Sequence, residues 1–489
     1  MQFGELIGEL DVRDTGGDHA AVIKGIAYDS RRVEPGFLFV AIKGFRTDGH
    51  LYIGDALARG AAGVILQERV SLPAGIPWVQ VTDSRRALAL VAARFFGYPS
   101  KSLNLTGVTG TNGKTTTTHM LAAIYRRRGR VGLIGTVYNL VHDRVLPGRH
   151  TTPEAVELQG LLREMVDAGV ANAVMEVSSH ALALSRVEGC RFGAAVFTNL
   201  TQDHLDFHPT LEAYFAAKAR LFQGLPPAGL AVINCDDSWG RRLGGLATGR
   251  VVSYGLETGC DVRAVDVSVR ADGVAFGVES AWGNFPVRLR LTGMFNVYNA
   301  LAAVACSLAQ GFSPEEVAAG LAGLQGVPGR FERIDRGQDF TVIVDYAHTP
   351  DGLINVLQAA RAIAAARLIV VFGCGGDRDR KKRPLMGEAA VRYADLAIIT
   401  SDNPRTEDPL AIIDDIEAGA RGVPGGRYLV EPDRRRAIRA ALQIARCGDV
   451  VLVAGKGHED YQIIGEKRLP FDDRLVVAEL LKETGRARK

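Results

Sequence analysis

The sequence predicts an α/β protein built from several domains. The chain has 489 residues, which is too long for one ordinary hydrophobic core, so we expect roughly two to four domains. Hydrophobic residues make up 47% of the chain and 56 residues are glycine, which is typical of globular α/β proteins. Short β-prone runs alternate with helix-forming segments, a pattern that favours parallel sheets covered by helices on both faces.

Composition and turn residues divide the chain into three sections. Residues 1–100 carry short strands and one clear helix, and they end at "GYPS". Residues 101–332 open with a strand and a glycine-rich turn, and they close on "GVPGRFERI", a Pro/Gly turn suited to an interdomain joint. Residues 333–489 alternate strands such as "RLIVVFGCGG" with helices. We therefore predict three α/β domains with these boundaries.

Charge and cysteine content argue against several classes of protein. The net charge is +3, so nothing in the overall charge favours binding to nucleic acid or to an anionic membrane. The N-terminus does not resemble a signal peptide, and no apolar stretch is long enough to span a bilayer. The cysteines form no C-x-x-C pair and are predicted to be buried thiols of a reducing compartment: Cys190, Cys235, Cys260, Cys306, Cys374 and Cys447. We expect a cytoplasmic protein.

The stretch "GVTGTNGKTTT" nearly matches a P-loop, but five residues instead of four separate Gly107 from Gly113. A β-prone run precedes this turn and a helix-forming segment follows it. A turn of this kind directs backbone N–H groups and the positive end of a helix dipole at an anion. Lys114 would then reach the β- and γ-phosphates, and the Thr115 hydroxyl would bind Mg²⁺. The alternative is an ordinary glycine-rich turn with a solvated lysine.

Residues of the same section could complete a metal site. Glu176 lies at the carboxyl end of the predicted strand "ANAVMEV". His204 and His208 have zinc-like i, i+4 spacing, but the glutamate of a zinc protease does not follow His204. An oxygen-rich Mg²⁺ site built from Thr115, Glu176 and one imidazole fits a nucleotide enzyme better. Core or surface histidines remain the alternative.

The predicted helix "LEAYFAAKARLF" carries a lysine on its apolar face. Lys218 shares this face with Leu211, Phe215 and Phe222. Burial of an unpaired ammonium is costly, so this lysine must pair, extend to solvent or be chemically changed. A desolvated lysine loses its proton readily. The neutral amine can capture carbon dioxide and become an anionic carbamate, which could bind a metal.

Three polar clusters of the last section each follow a predicted strand. They are "GGDRDRKKRP" (375–384), "SDNPRTEDP" (401–409) and "GKGHEDYQ" (455–462), and we expect them to meet at one edge of a sheet. Together they combine Arg378 and Arg405 with Asp402 and Glu459. Guanidinium groups match carboxylates and acidic groups hold an ammonium, so the clusters suit a zwitterion. The alternative for "RDRKKR" is a solvated loop or a nucleic-acid patch.

A series of motifs resembles the Mur ligase family along the whole chain. In order, they are "GTNGKTT", "EVSSHAL", "TNLTQDHLDFH", "AKARLF", "GMFNVYNALAA", "GRFE", "VDYAHTP", "GCGGDRDRKKRP", "DNPR" and "GKGHEDYQ". The resemblance implies an N-terminal uridine-nucleotide-binding α/β domain, a central P-loop ATP-binding domain with a parallel sheet, and a C-terminal Rossmann-like α/β domain that binds diaminopimelate. It implies that ATP activates the D-glutamyl carboxylate of UDP-N-acetylmuramoyl-L-alanyl-D-glutamate as an acyl phosphate, which the amine of meso-diaminopimelate attacks.

The resemblance also assigns residues to ATP and metal. Lys114, Glu176, His204 and Lys218 are implied catalytic residues. Thr115, Glu176 and His204 would surround Mg²⁺ together with Lys218 as its carbamate (N6-carboxylysine). The implied ATP contacts are Gly110, Thr111, Asn112, Gly113, Lys114, Thr115 and Thr116 at the phosphates, Asn296 and Asn299 at the adenine, and Arg330 and Asp345 near the nucleotide.

The other implied sites hold the two substrates that are joined. The uridine nucleotide would contact Tyr28, Ser30, Phe45, Arg46 and Thr47, and the muramoyl dipeptide would contact His150, Thr151, Thr152, Ser178 and Arg186. Leu184 departs from the family pattern, because some members have a glutamine there. Diaminopimelate would contact Arg378, Asp402, Asn403, Pro404, Arg405, Gly455 and Glu459.

Three alternatives remain beside this interpretation. "DNPR" resembles diaminopimelate-adding members of the family, whereas a lysine-adding ligase would leave Arg405 without a carboxylate partner. A folylpolyglutamate synthase shares the ATP domain, but it would not explain the N-terminal section. A P-loop switch or motor acting on nucleic acid would need a longer basic face. We expect a monomer that acts on small molecules and neither binds nucleic acid nor inserts into a membrane.

Overall fold

The structure is a computed structural model that describes residues 1–45, 47–148 and 150–486. Arg46, one of the predicted uridine contacts, lies outside the described residues. The strands are β1 (Val12–Gly16), β2 (Gly25–Ala27), β3 (Phe37–Val40), β4 (Gly63–Leu66), β5 (Trp78–Val81), β6 (Asn104–Thr109), β7 (Val131–Ile134), β8 (Tyr138–Val141), β9 (Arg144–Pro147), β10 (Asn172–Glu176), β11 (Ala194–Phe197), β12 (Leu230–Asn234), β13 (Arg250–Gly255), β14 (Val262–Arg270), β15 (Gly273–Ser280), β16 (Phe285–Leu289), β17 (Glu332–Ile334), β18 (Thr341–Asp345), β19 (Leu368–Phe372), β20 (Leu396–Ile399), β21 (Tyr428–Val430), β22 (Val450–Ala454), β23 (Tyr461–Ile464) and β24 (Lys467–Pro470).

Helices alternate with these strands along most of the chain. The α-helices are α1 (Phe3–Ile7), α2 (Ile53–Ala58), α3 (Ser84–Phe95), α4 (Lys114–Tyr125), α5 (Ala155–Asp167), α6 (Ser179–Ala183), α7 (Leu211–Gln223), α8 (Ser238–Gly244), α9 (Met294–Ala309), α10 (Pro314–Gly323), α11 (Pro350–Ile363), α12 (Lys382–Tyr393), α13 (Pro409–Ala420), α14 (Arg434–Ile444) and α15 (Asp473–Glu483). None of the described helices is both long and apolar enough to cross a membrane.

The chain forms two compact units. The first contains Met1–Gly107, Gly129–Ala195 and Arg220–Gly229, and the second contains Val108–Arg128, Val196–Ala219 and Leu230–Lys489. In the first unit, one sheet has the order β1-β5-β4-β3-β2, in which β2 to β5 are parallel and β1 is antiparallel. Further strands of this unit follow the order β10-β7-β8-β9, and Glu176 ends β10.

The second unit contains strands in the order β16-β15-β14-β13-β12 and a separate sheet of order β17-β18-β22-β19-β20-β21. In the separate sheet, β18 to β22 pair in parallel and β17 is antiparallel. Side chains of β19 alternate between two cores: Leu368 and Phe372 pack with α11 and α12, whereas Ile369 and Val371 pack with α14 and α15. Strand β19 is therefore a continuous apolar run, as expected for a parallel strand buried on both faces.

The predicted α/β fold is confirmed, while several elements were not foreseen. The first hundred residues contain α1 and α2 beside the predicted helix, which is α3. The antiparallel hairpin β23–β24, which begins at Tyr461 within the "GKGHEDYQ" cluster, was also missed. Helices α1 and α2 have five and six residues, too few for a clear helical period in the sequence.

The prediction that all cysteines are buried thiols is wrong. Cys235 and Cys260 form a disulfide, with their Cα atoms 6.3 Å apart, and Cys447 is exposed. The residues lie after β12 and before β14, and parallel pairing through β13 brings them together. Spacing in the sequence does not reveal this proximity. Cys374 fits the prediction, because burial raises the pKa of its thiol to about 12.

Removal of this disulfide should destabilise the second unit. The bond joins residues 25 positions apart, and closure of such a loop restricts the unfolded chain by about 3 kcal/mol. We expect the Cys235→Ser/Cys260→Ser variant to unfold at lower denaturant concentration and to be insensitive to a dithiol reductant, whereas reductant should destabilise the parent. The matched control is Cys447→Ser, which should behave like the parent. Equal stability of the parent with and without reductant would contradict the prediction.

Candidate active site

The glycine-rich turn between β6 and α4 can accommodate an anion because its glycines have no side chains to cover the backbone N–H groups. Gly110 has φ +149° and Gly113 has φ +86°, and α4 begins directly after Gly113. A Cβ atom on Gly110 would lie 1.9 Å from Thr198 Oγ1, and one on Gly113 would lie 2.3 Å from Asn299 Oδ1. Larger residues are excluded, so the N–H groups at the start of α4 stay accessible to an anion.

Two lysine side chains meet at this turn. Lys114 Nζ donates to the carbonyl oxygens of Gly110 at 3.0 Å and Thr111 at 2.8 Å. Lys218 Nζ donates to the same Gly110 oxygen at 2.8 Å and lies 4.4 Å from the centre of the Tyr214 ring. The predicted inward orientation of Lys218 is confirmed, since the residue is 1% exposed. Burial lowers the pKa of Lys218 well below its usual value, and the charge of Lys114 adds to this effect.

An acidic residue that the sequence analysis missed lies beside His204. Asp203 is buried, and its Oδ2 lies 3.3 Å from His204 Nε2. Burial opposes ionisation of Asp203, but His204, His348 and Lys382 outweigh it and hold its pKa below the usual value. Lys382 Nζ donates to the His348 carbonyl oxygen at 2.8 Å. Burial, together with the charge of Lys382, lowers the pKa of His348 to about 4.

Arg330 reaches the predicted metal-binding hydroxyl. Its Nη2 donates to Thr115 Oγ1 at 2.9 Å, and its guanidinium carbon lies 4.5 Å from the centre of the Tyr346 ring. Among the described residues, Arg330 Nε is buried and has no hydrogen-bond partner. Asp345, the last residue of β18, accepts a hydrogen bond from Phe331 N, directly before β17, at 2.6 Å. Burial raises the pKa of Asp345, although the charge of Arg330 opposes the rise.

The amide side chains at the start of α9 form a short chain toward the turn. Asn296 Nδ2 donates to the Thr292 carbonyl at 2.8 Å, and Asn299 Nδ2 donates to Asn296 Oδ1 at 3.1 Å. Asn299 therefore lies against Gly113, and its predicted adenine contact stays a prediction. On the other side, Asn112 Nδ2 donates to Asp351 Oδ2 at 2.9 Å. Asp351 directly follows the motif "VDYAHTP" and was missed.

Four predicted residues of the first compact unit lie together. Glu176 is 1% exposed and accepts from Thr136 N at 2.8 Å and Thr136 Oγ1 at 3.0 Å. Thr152 Oγ1 donates to the Glu176 carbonyl oxygen and accepts from Ser178 N. Arg186 Nη1 donates to the Thr152 carbonyl oxygen at 3.0 Å. The structure thus brings Glu176, Thr152, Ser178 and Arg186 together, which spacing alone could not show.

One of the predicted uridine contacts, Tyr28, lines a small cavity. Tyr28 and Glu157 line it, and the Tyr28 hydroxyl donates to both carboxylate oxygens of Glu157 at 3.1 Å. Burial, with the charge of Glu157, raises the pKa of Tyr28. Ser30 is buried, whereas Phe45 is 76% exposed. The other predicted residues are placed as follows: Thr47 and His150 are exposed, and Thr151 Oγ1 accepts from Thr136 Oγ1 at 3.0 Å.

The three polar clusters of the last section converge, as predicted. Asn403 Nδ2 donates to Glu459 Oε2 at 2.9 Å. Arg405 Nη1 donates to the Gly376 carbonyl oxygen at 2.6 Å. A Cβ atom on Gly455 would lie 2.5 Å from Asp402 Oδ2, which explains why glycine occupies that position. We call this set of residues the amino-acid pocket: Gly375, Gly376, Arg378, Asp402, Asn403, Pro404, Arg405, Gly455, Lys456 and Glu459.

The amino-acid pocket contains charges of both signs. Among the described residues, neither Arg378 nor Arg405 takes part in an ion pair. Burial lowers the pKa of Arg405, and the nearby charge of Arg378 adds to the effect. Burial raises the pKa of Glu459, with a further contribution from Asp402. Two guanidinium groups without a carboxylate partner and two carboxylates beside them suit a zwitterionic ligand.

The loop that carries Arg330 packs directly on the loop that carries Glu459. A Cβ atom on Gly329 would lie 2.0 Å from His458 N, and one on Gly457 would lie 2.6 Å from the Gly329 carbonyl oxygen. Both glycines have positive φ, +66° and +53°. The two loops therefore touch through their backbones at this point.

Comparison with known proteins identifies the family of the chain. Three family models match successive parts of the chain: "Mur ligase family, catalytic domain" at residues 22–96, "Mur ligase middle domain" at 108–307, and "Mur ligase, glutamate ligase domain" at 329–457. The chain belongs to the Mur ligase family. The predicted resemblance is thereby confirmed, whereas the domain boundaries at residues 100 and 332 stay predictions.

Relatives match this Mur ligase over nearly its whole length. The UDP-N-acetylmuramoyl-L-alanyl-D-glutamate–2,6-diaminopimelate ligase of Syntrophomonas wolfei is 48% identical and covers 99% of both chains. The ligase of the same name from Geobacillus kaustophilus is 51% identical over 95% of this chain and 96% of its own. A solved structure of a ligase with this name is 36% identical, with a TM-score of 0.69 and 99% coverage of both chains.

Alanine at Gly113 should abolish nucleotide turnover. The added Cβ would meet Asn299 Oδ1 at 2.3 Å, and the backbone has φ +86°. Gly311 offers a matched control, because it has φ +84° but no atom within 4 Å of a built Cβ. We expect Gly113→Ala to lower ATP turnover at least a hundredfold, since the phosphate loop must deform, while Gly311→Ala should keep parent turnover and lose about 1 kcal/mol of stability. Equal turnover in the two variants would contradict this role of Gly113.

Proposed function

We propose that the chain is an ATP-dependent ligase that joins meso-diaminopimelate to the D-glutamyl residue of UDP-N-acetylmuramoyl-L-alanyl-D-glutamate, a step of peptidoglycan precursor synthesis. The observation that carries the proposal is the amino-acid pocket, in which Arg378 and Arg405 have no ion-pair partner among the described residues and Asp402 and Glu459 lie beside them. Full-length relatives of this name, 48% and 51% identical, support the same reaction.

The residues around the glycine turn fit ATP and Mg²⁺. Gly110 and Gly113 leave room for phosphates, and the buried Arg330 Nε offers a donor that no described residue uses. The oxygen and nitrogen donors of Thr115, His204 and a carbamate on Lys218 would hold Mg²⁺. Bound there, Mg²⁺ would neutralise charge between the phosphates and the attacking carboxylate.

The first step brings two anions together. A carboxylate is a poor electrophile, and transfer of the γ-phosphoryl group to the D-glutamyl carboxylate turns one oxygen into part of a leaving group. Lys114, Arg330 and the N–H groups at the start of α4 lower the repulsion between carboxylate and phosphate. Lys114 donates to two loop carbonyls in this structure, so it is already directed at the position where phosphates would lie.

The second step joins the amine to the activated carboxyl group. The amine nitrogen attacks the acyl carbon, the C–O bond to phosphate breaks, and amide, inorganic phosphate and a proton are formed. Arg378 and Arg405 would hold the carboxylate at one end of diaminopimelate, and Glu459 and Asp402 would hold the ammonium of that same end. The amine at the other end is then presented for reaction. Lysine lacks the second carboxylate and would leave the guanidinium groups unpaired.

The uridine substrate would be held by residues of the first compact unit. Support comes from the cavity beside Tyr28 and from the group formed by Thr152, Ser178 and Arg186. Because ATP and uridine nucleotides are cytoplasmic metabolites, the proposal places the enzyme in the cytoplasm. It acts on small molecules as a monomer, without nucleic acid and without insertion into a membrane.

Product formation tests the proposal directly. The purified protein is supplied with ATP, Mg²⁺, UDP-N-acetylmuramoyl-L-alanyl-D-glutamate and one of meso-diaminopimelate, L-lysine or L-ornithine. We expect amide product with meso-diaminopimelate and loss of about 3 kcal/mol, roughly a hundredfold in kcat/KM, in Arg405→Ala, because a charged contact disappears. Exposed Arg392→Ala is the matched control. Preference for L-lysine, or normal diaminopimelate use by Arg405→Ala, would overturn the assignment. ATP hydrolysis stimulated by nucleic acid instead would favour the motor alternative.

Carbamylation of Lys218 forms part of the proposal. Burial and the charge of Lys114 lower the pKa of its amine well below the usual value, which favours the neutral form. A neutral amine adds carbon dioxide to give a carbamate and a proton. In ¹³C-bicarbonate buffer we expect a carbamate resonance that Lys218→Ala lacks and Lys114→Ala retains, and that disappears on acidification as the amine takes up a proton. A spectrum without this resonance in the parent would exclude the modification.

A further inference from the structure

Lys456 is a buried member of the amino-acid pocket that has no role in the reaction described so far. It follows β22, between Gly455 and Gly457, and it is 0% exposed. Its Nζ lies 3.1 Å from Glu459 Oε2, 3.2 Å from Asn403 Oδ1 and 3.8 Å from Asp402 Oδ1. One buried ammonium thus contacts three side chains that come from two separate loops.

These contacts fix which oxygen of Glu459 faces the pocket. Glu459 Oε2 accepts from both Lys456 Nζ and Asn403 Nδ2. Asn403 is itself fixed, because its Oδ1 also accepts from Ile463 N at 2.9 Å. Glu459 Oε1 accepts no hydrogen bond from any residue that the structure describes. The glutamate therefore has one oxygen committed to the protein and one available for a ligand.

We propose that Lys456 is the positioning residue of the amino-acid pocket, which holds Glu459 beside Asp402 and Asn403 and directs Glu459 Oε1 at the ammonium of the incoming amino acid. The inference rests on the proposed function, since it concerns the pocket for the second substrate. Lys456 acts through Glu459 and Asn403, because its own ammonium is buried behind them and all its contacts are with protein groups.

The charges around Glu459 explain why a buried cation is needed. Asp402, Arg405, Arg434, Tyr346, Tyr461 and Lys456 all interact electrostatically with it. Burial and the repulsion of Asp402 raise the pKa of Glu459, while Lys456 and Asn403 oppose the rise. Arg434 is committed elsewhere through a fully buried ion pair with Asp473. Without Lys456, Glu459 would lose a nearby positive charge that opposes the rise of its pKa.

The test compares Lys456→Met with Lys456→Arg and with the exposed control Lys467→Met on β24. At pH 7 we expect Lys456→Met to raise the KM for meso-diaminopimelate on the order of tenfold to a hundredfold, because the substrate ammonium loses a charged acceptor. The KM for ATP should not change. Removal of Lys456 takes away a charge that opposes the raised pKa of Glu459, so the defect should be largest at low pH and should shrink as pH rises. Lys456→Arg should recover part of the loss, and Lys467→Met should match the parent.

A double-mutant cycle with Glu459→Gln separates this role from a structural one. Glutamine cannot ionise, so adding Lys456→Met to Glu459→Gln should cost little further in KM, whereas a structural role would give additive losses. If Lys456→Met alone does not fold, the comparison of the double variant with Glu459→Gln decides. An unchanged KM, a loss independent of pH, or additive losses overturn the inference while parent activity stands. Absence of diaminopimelate product from the parent overturns the proposed function and this inference with it.

Discussion

Two lysine ammonium groups donate to one carbonyl oxygen, that of Gly110, and the nucleotide side of the site depends on this arrangement. Like charges so close repel, and the repulsion helps to lower the pKa of Lys218. A cluster of this kind is stable when anions lie nearby or when one amine gives up its charge. Phosphates would supply the first solution and a carbamate the second. The same two lysines thus account for both the substrate and the modification that we propose.

The amino-acid pocket differs from the lysine pair because it contains charges of both signs, but a bound ligand would stabilise it too. Carboxylates and guanidinium groups stand close together there, and a zwitterion would satisfy both signs at once. Arg405 is held by the Gly376 carbonyl oxygen, which leaves the rest of its guanidinium group for a ligand. Preorganisation of this kind gives selectivity, since a ligand that lacks one charge leaves a buried group unpaired.

Sequence patterns predicted the strands, the glycine turn and the meeting of the three polar clusters. Strands such as β19 are continuous apolar runs, and polar residues after parallel strands must gather at one edge. The inward position of Lys218 also followed from helical spacing. These features depend on local periodicity or on the topology of the sheet, both of which the sequence carries.

Contacts between distant segments could not be predicted in this way. The run "RDRKKR" suggested a solvated loop, yet Arg383 is fully buried and paired with Glu407 and Asp415. Asp203, Asp351 and Lys456 were missed because some of their partners, such as Lys382, Asn112 and Asn403, come from distant segments. The pairing of Cys235 with Cys260 depends on the order of β12, β13 and β14 rather than on spacing. In each case the deciding information is tertiary.

Gly329 and Gly457 bring the loop that carries Arg330 and the loop that carries Glu459 into direct backbone contact. Backbone meets backbone there without an intervening side chain. If the proposed amine and triphosphate sites are coupled through this contact, binding of one reactant would change the affinity for the other by the same factor in both directions.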